Sequence, residues 1–164
     1  MLAWRVAAQF DGKILEDIFE MRLCFEPRAA YLAARDGTAE DHAAIRRHCN
    51  ELAAAYADCL PLRVCAEAAL TFHLGVIHAS RNGLFITIGS AVKSALRLSF
   101  DRQQGEPIKP EEDVALHQSV AQALCARECE AAAAAMERLL VSWRRRFLPA
   151  STAAVETQLP SPPA

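Results

Sequence analysis

The stretch ILEDIFEMRLCFEPRAAYLAAR, residues 14–35, decides the fold. Its apolar side chains recur at Leu15, Ile18, Phe25, Ala29 and Leu32, the three-and-four spacing of one face of an α-helix. Arg22 falls inside that stripe. A guanidinium there points at neighbouring helices instead of water, and burying a polar group without a partner costs roughly 2–7 kcal/mol. Arg22 therefore calls for a partner. One candidate is Glu26, a turn further along the same face. The other is the carboxylate of a bound effector, held in the bidentate clamp that a guanidinium suits.

Two more segments repeat the pattern. Ala69, Phe72, His73, Val76 and Ile77 form one stripe, and Val114, His117, Ala121 and Leu124 form another. Ionisable groups contributed by three helices predict a polar cavity inside a helical bundle, a place to hold a small ligand. His73 and His117 have three readings: metal ligands, direct effector contacts, or core imidazoles bonded to backbone. His78 is five residues past His73 and points elsewhere, so it is expected in solvent. His42 and His48 lie on a polar face of the second helix and are expected to be exposed.

Working outward, the punctuation of the chain predicts about six helices. The first, 14–35, carries Pro27, which kinks it or marks a boundary by removing a backbone donor. Asp36-Gly37 stops it, and Thr38 caps a second helix over 39–58 with Ile45, Cys49, Leu52 and Tyr56 inward. Pro61 breaks the chain before a third helix over 62–80. Arg81-Asn82-Gly83 reads as a turn, with Asn82 either capping the fourth helix or lining the cavity. That helix, 84–100, turns Ile88, Val92, Ala95 and Leu96 inward. A polar loop over 101–109 precedes Pro110, suited to the first position of a fifth helix. Glu111, Glu112 and Asp113 follow near the positive end of its dipole. The fifth ends near Arg127. The sixth spans 128–147, with Ala132, Met136, Leu139, Leu140, Trp143 and Phe147 inward. No strand alternation, internal repeat or heptad array interrupts this, so the fold class is all-α, an antiparallel bundle. Residues 1–13, with a turn signal at Asp11-Gly12, read as a linker remnant. The domain occupies 14–148, and the Pro-, Ser-, Thr- and Ala-rich 149–164 is expected to be a disordered tail.

Composition narrows the function. A chain of 164 residues that is 52% hydrophobic and 23% charged suits one soluble domain with a proper core. A formal net charge of −2 gives no electrostatic case for direct DNA contact. Arg144, Arg145 and Arg146 read as a solvated helix end that complements the dipole. Trp143 and Phe147 read as core or dimer interface. No apolar run reaches the roughly 18–20 residues that span a bilayer. No signal peptide is seen, so a cytoplasmic location is expected. Cys24, Cys49, Cys59, Cys65, Cys125 and Cys129 contain no CxxC pair and are expected to be free and mostly buried. Cys125 and Cys129, one turn apart, make only a weak zinc pair. No nucleophile–base–orienter set appears by spacing, so the chain is not read as an enzyme.

The order of these elements resembles a known family. Ile18-Phe19-Glu20-Met21-Arg22 followed by Phe25-Glu26-Pro27, then Ala30 and Leu32-Ala33-Ala34-Arg35, carries the first part of the likeness. Phe72-His73 with Ala79-Ser80-Arg81-Asn82, His117 with Val120, Ala123 and Leu124, and Met136 carry the rest. Together these segments are similar to the C-terminal effector domain, or FCD domain, of the FadR subfamily of GntR bacterial transcription regulators. The likeness covers residues 15–147.

The resemblance implies an antiparallel helical bundle that forms a homodimer and binds a small organic acid or sugar acid, with Arg22, His73, Asn82 and His117 as effector contacts. Many members of that family hold a divalent metal such as Zn or Ni. Their ligands are an Asp one turn before the first His, that His, the His of the fifth helix, and another His in the closing helix. Here Ala69 and Leu139 stand at the first and last of those positions, leaving His73 and His117. Two imidazoles fall short of the three or four protein ligands a divalent ion normally takes. Cys65, a turn before Ala69, is a weak stand-in. The family's N-terminal winged-helix DNA-binding domain is not seen before the likeness begins, so a stand-alone effector domain or a truncated gene product is expected. Two rival readings remain: a metal-binding helical domain with a degenerate site, and a ligand-free module or remnant that pairs with a full-length regulator.

Overall fold

Six helices follow one another in the computed structural model, which describes the backbone of residues 3–100 and 109–147. It describes the side chains among them except those of 3–12, 14, 94–100 and 146–147. They are α1 (Ala3–Asp36), α2 (Ala39–Ala57), α3 (Leu62–Ala79), α4 (Gly83–Phe100), α5 (Pro110–Cys125) and α6 (Cys129–Phe147). No strand occurs among the described residues. The expectations for the 101–108 loop, the 149–164 tail and the inward positions Ala95, Leu96 and Phe147 lie outside the described residues.

Each helix starts and stops for a local reason. α1 runs on through Pro27 without a break. It also runs through Asp11-Gly12, which is therefore no turn. A single Gly costs a helix only about 1 kcal/mol relative to Ala, too little to end it alone. At the C-terminus of α1 the Gly37 amide donates to the Ala33 carbonyl at 3.0 Å. A Cβ at Gly37 would lie 2.4 Å from that oxygen, so only glycine fits so close a turn. Thr38 caps α2 reciprocally: its hydroxyl accepts from the Asp41 amide at 3.1 Å, and the Asp41 carboxylate accepts from the Thr38 amide at 2.8 Å. Asn82 caps α4, its Oδ1 accepting from the amides of Leu84 at 3.0 Å and Phe85 at 3.2 Å. Pro110 opens α5 as expected.

Packing places α1, α2, α3, α5 and α6 around one core, built on side chains such as Phe19, Leu52, Phe72, Leu124, Leu139 and Leu140. Each such side chain withdrawn from water contributes roughly 1.5–3 kcal/mol. α4 lies to one side, against α1 and α3 alone among the described residues. Gly89 lets α4 come close to α3: a Cβ there would stand 2.9 Å from Ile77 Cδ1. Val92 faces inward as expected, whereas Ile88 is exposed, because α4 has a neighbour on one side only. The turn between α5 and α6 is tied to the end of α1. Arg127, at φ 59°, donates to the carbonyls of Ala34, Arg35 and Gly37 at 3.3, 3.2 and 3.0 Å.

Several single-residue expectations change. His42 is buried, because α2 turns it onto the end of α1, where its Nε2 lies 2.9 Å from the Ala33 carbonyl. His48 is half-buried beside Glu51 at 3.1 Å, and His78 is exposed. Of the six free cysteines only Cys49 and Cys65 are buried, and Cys24, Cys59 and Cys125 are exposed. They occupy turns and outer helix faces where no partner helix covers them.

Candidate functional site

Arg22, Glu26, His73 and His117 form one buried cluster, each 2% exposed or less. α1 supplies the first two. Their four-residue spacing stacks the side chains, so that Arg22 Nε donates to Glu26 Oε1 at 2.5 Å and Nη2 reaches Oε2 at 3.4 Å. α3 brings His73, whose Nδ1 lies 2.7 Å from Glu26 Oε2. α5 brings His117, its ring centroid 5.6 Å from that of His73 in an edge-on arrangement. Phe72 and Trp143 wall the pair, with ring centroids 4.9 and 6.3 Å from His117.

The protonation states follow from these contacts. Burial alone pushes the Glu26 carboxyl up, but the adjoining Arg22 and His73 more than reverse this and hold it at about 2. Burial lowers the His73 imidazole, against the opposing pull of Glu26. Burial likewise takes His117 down to about 4 although Asp113 opposes it. Both imidazoles are therefore neutral near pH 7. His73 Nδ1 faces a carboxylate and His117 Nδ1 faces the Asp113 backbone carbonyl at 2.7 Å, so each Nδ1 carries the proton and donates. Each Nε2 is left with a lone pair.

Three buried atoms in this cluster find no hydrogen-bond partner among the described residues: Arg22 Nη1, His73 Nε2 and His117 Nε2. One is a donor and two are acceptors. A cleft between α1, α3 and α4 reaches Arg22, Glu26 and His73 and is closed on its other side by Gly89, Val92 and Lys93. Its cavity volume is about 10 Å³, the room that about one water needs.

The sequence-predicted residues divide cleanly. Arg22, His73 and His117 come together. Asn82 does not join them: its side-chain oxygen serves the α4 cap. Three residues of the site escaped the sequence reading. Asp113 stands in the first turn of α5, near the positive end of its dipole as expected, but it is fully buried there, with Oδ2 accepting from Tyr56 Oη at 2.8 Å and Oδ1 from Trp143 Nε1 at 2.6 Å. Its position one turn before His117 was the available signal. Trp143, one turn after Leu139, packs against both imidazoles. Lys93 lies beside Val92 on α4 and pairs with Glu67 at 3.0 Å.

A divalent metal does not fit this donor set. The two Nε2 lone pairs are the free ligand atoms, whereas Ala69 and Leu139 are buried apolar side chains. Glu26 binds His73 on the Nδ1 side, away from Nε2, and Asp113 is engaged by Tyr56 and Trp143. Cys65 Sγ lies 3.7 Å from the Leu60 carbonyl. Among the described residues no group of three His, Cys, Asp or Glu is arranged to hold a metal.

The family described as the FCD domain matches residues 17–142. The chain belongs to it. FCD domains are the effector-binding, regulatory parts of GntR-family transcription regulators and serve regulation, not catalysis. The chain is 25% identical over 148 residues to the galactonate operon transcriptional repressor of Escherichia coli K12, covering 90% of this chain and 63% of that protein. In fold it is similar to GntR of Streptococcus agalactiae, with a TM-score of 0.71 and 21% identity over 82% of this chain and 60% of that one. It is similar also to McbR/YncC of E. coli, with a TM-score of 0.66 and 18% identity over 78% and 61% of the two chains. The chain thus spans less than two thirds of the length of each of these relatives. No helix among the described residues of this FCD domain is long and apolar enough to cross a membrane.

Proposed function

We propose that this FCD domain senses a small hydroxylated carboxylic acid through Arg22, His73 and His117, and passes the signal on as part of a GntR-type transcription regulator. The three buried, unpartnered atoms carry the reading. Leaving a buried polar atom unsatisfied costs roughly 1–3 kcal/mol, which a matching ligand recovers. Arg22 Nη1 offers N–H donors to a carboxylate. The two Nε2 lone pairs require donors from the ligand, which hydroxyl groups supply. A hydroxy acid or sugar acid carries both. The name of the galactonate operon repressor adds galactonate to the acids worth trying.

Entry of such a molecule requires α4 to move outward, since the cavity in this conformation has room for little more than a water. Asn82 acts here by fixing the start of α4. The domain works as a homodimer in the cytoplasm, and contact with DNA belongs to another part of the regulator. Arg144 is already engaged by Glu20 at 2.9 Å and Glu16 at 3.5 Å. The effector shifts the balance between two dimer geometries only by the difference in its affinity for them.

The test is thermal unfolding against galactonate, gluconate, lactate and malonate. A ligand at about a thousand times its Kd stabilises by roughly 4 kcal/mol, a rise of several degrees. At least one acid is expected to produce it, and Arg22→Met is expected to abolish it. A flat response to every acid would leave the sensor reading without support.

A further inference from the structure

Two cations line the cleft, and they differ in how firmly they are held. Arg22, at the deep end, has its charge balanced by Glu26, and both side chains are sealed from water. Lys93, at the outer end, pairs with Glu67 of α3 at 3.0 Å, and these side chains are 26% and 36% exposed. A half-solvated pair of this kind is weak, and its partners exchange readily for another charge. Lys93 also sits on α4, the helix that closes one side of the cleft.

Resting on the sensor reading above, we propose that Lys93 is a specificity-determining contact that meets a second acidic group of the effector in exchange for Glu67. The Arg22–Glu26 pair contributes little net charge to draw an anion inward, because it is neutral as a unit. The free edge of Arg22 orients one carboxylate, and the Lys93 ammonium supplies a charge-assisted bond to the other. The site therefore selects a hydroxylated dicarboxylic acid over the monocarboxylic acid of the same carbon chain.

Calorimetric titration of the full chain with glucarate and gluconate tests this, since they differ at one terminal carbon. The wild-type chain is expected to prefer glucarate about tenfold, the ratio for one modest bond. Lys93→Met is expected to bring the two acids to equal affinity while leaving gluconate within about twofold of wild type. Glu67→Gln, which removes the competitor, is expected to tighten glucarate selectively. Equal affinities in the wild type, or a preference that persists in Lys93→Met, overturns the assignment while the sensor reading stands. Loss of both acids in Lys93→Met at unchanged melting temperature also overturns it, by making Lys93 the primary contact. If neither acid binds the wild type, the sugar-acid reading falls and this proposal with it.

Discussion

His73 and Glu26, 47 residues apart in the chain, share a buried hydrogen bond of 2.7 Å from Nδ1 to Oε2. This bond links α1 to α3 and sets the histidine's tautomer, so the same contact that holds the bundle also leaves the Nε2 lone pair unpartnered inside the buried cluster. Glu26 thereby serves two partners, Arg22 along its own helix and His73 across the interface.

Breaking this unit from one side is expected to be costly. Removing Arg22 leaves a buried carboxylate without its counter-charge, a change that typically destabilises by about 3–5 kcal/mol. Arg22→Met should therefore lower the melting temperature by roughly 10 °C, at about 2–4 °C per kcal/mol for a domain of this size. The double substitution Arg22→Met with Glu26→Leu should recover part of that loss, because no buried charge is then stranded. Urea unfolding of the wild type, both single variants and the double variant checks this. A double variant no more stable than Arg22→Met would contradict it.

Stability should fall steeply with pH below neutrality. His117 is lowered to about 4 in the folded state, from an ordinary value of 6.5. A depressed value means that the unfolded chain takes up the proton first. The contribution is whole above pH 6.5 and is lost as pH falls toward 4, an effect on the order of a few kcal/mol. Glu26, lowered from 4.5 to about 2, adds a second loss between those values. Unfolding free energies measured from pH 7.5 to 4.5 should slope downward, and His117→Phe should flatten the upper part of that slope. An unchanged slope in the variant would show that His117 titrates normally.

Trp143 is expected to matter through its indole N–H as well as its bulk. It donates to Asp113 at 2.6 Å, and a hydrogen bond to a charged group is worth about 1.5–3 kcal/mol. Trp143→Phe should therefore destabilise by about 2 kcal/mol while keeping the helical signal in circular dichroism. Adding Asp113→Asn to it should cost less than the sum of the two single changes, since both disturb one network. Strict additivity in denaturant unfolding would argue that the two side chains are energetically independent.

The sequence made the six helices legible because apolar residues recur at helical spacing and the stops are marked by Gly37, Pro61, Asn82 and Pro110. Arg22, His73 and His117 were legible for the same reason: a charge or imidazole inside an apolar stripe is rare enough to notice. Asp113 was placed rightly in the first turn of α5, but its burial was not legible, because an acid there has the same local sequence whether it meets water or a buried Trp143. Only Tyr56 and Trp143, from distant helices, decide between them. His42 was misread for a similar reason, since the carbonyl it meets lies at the end of another helix. Lys93 gave no signal, because a lysine next to Val92 on an amphipathic helix is the ordinary pattern of a solvated edge.

The close fit of α4 on α3 yields the last prediction. A Cβ at Gly89 would stand 2.9 Å from Ile77 Cδ1, the movable end of that side chain, and 3.3 Å from its branch methyl Cγ2. Gly89→Ala should push α4 outward, and overpacking of this kind costs about 1–3 kcal/mol. Shortening the neighbour relieves the clash, so Ile77→Val in the same chain should restore part of the stability, although Ile77→Val alone costs about 0.5–1.5 kcal/mol. Because α4 forms one wall of the cleft, Gly89→Ala should also speed amide exchange along 83–93 relative to the rest of the bundle, which mass spectrometry resolves. A rescue by Ile77→Val without slower exchange in 83–93 would mean that α4 is held by contacts other than this one.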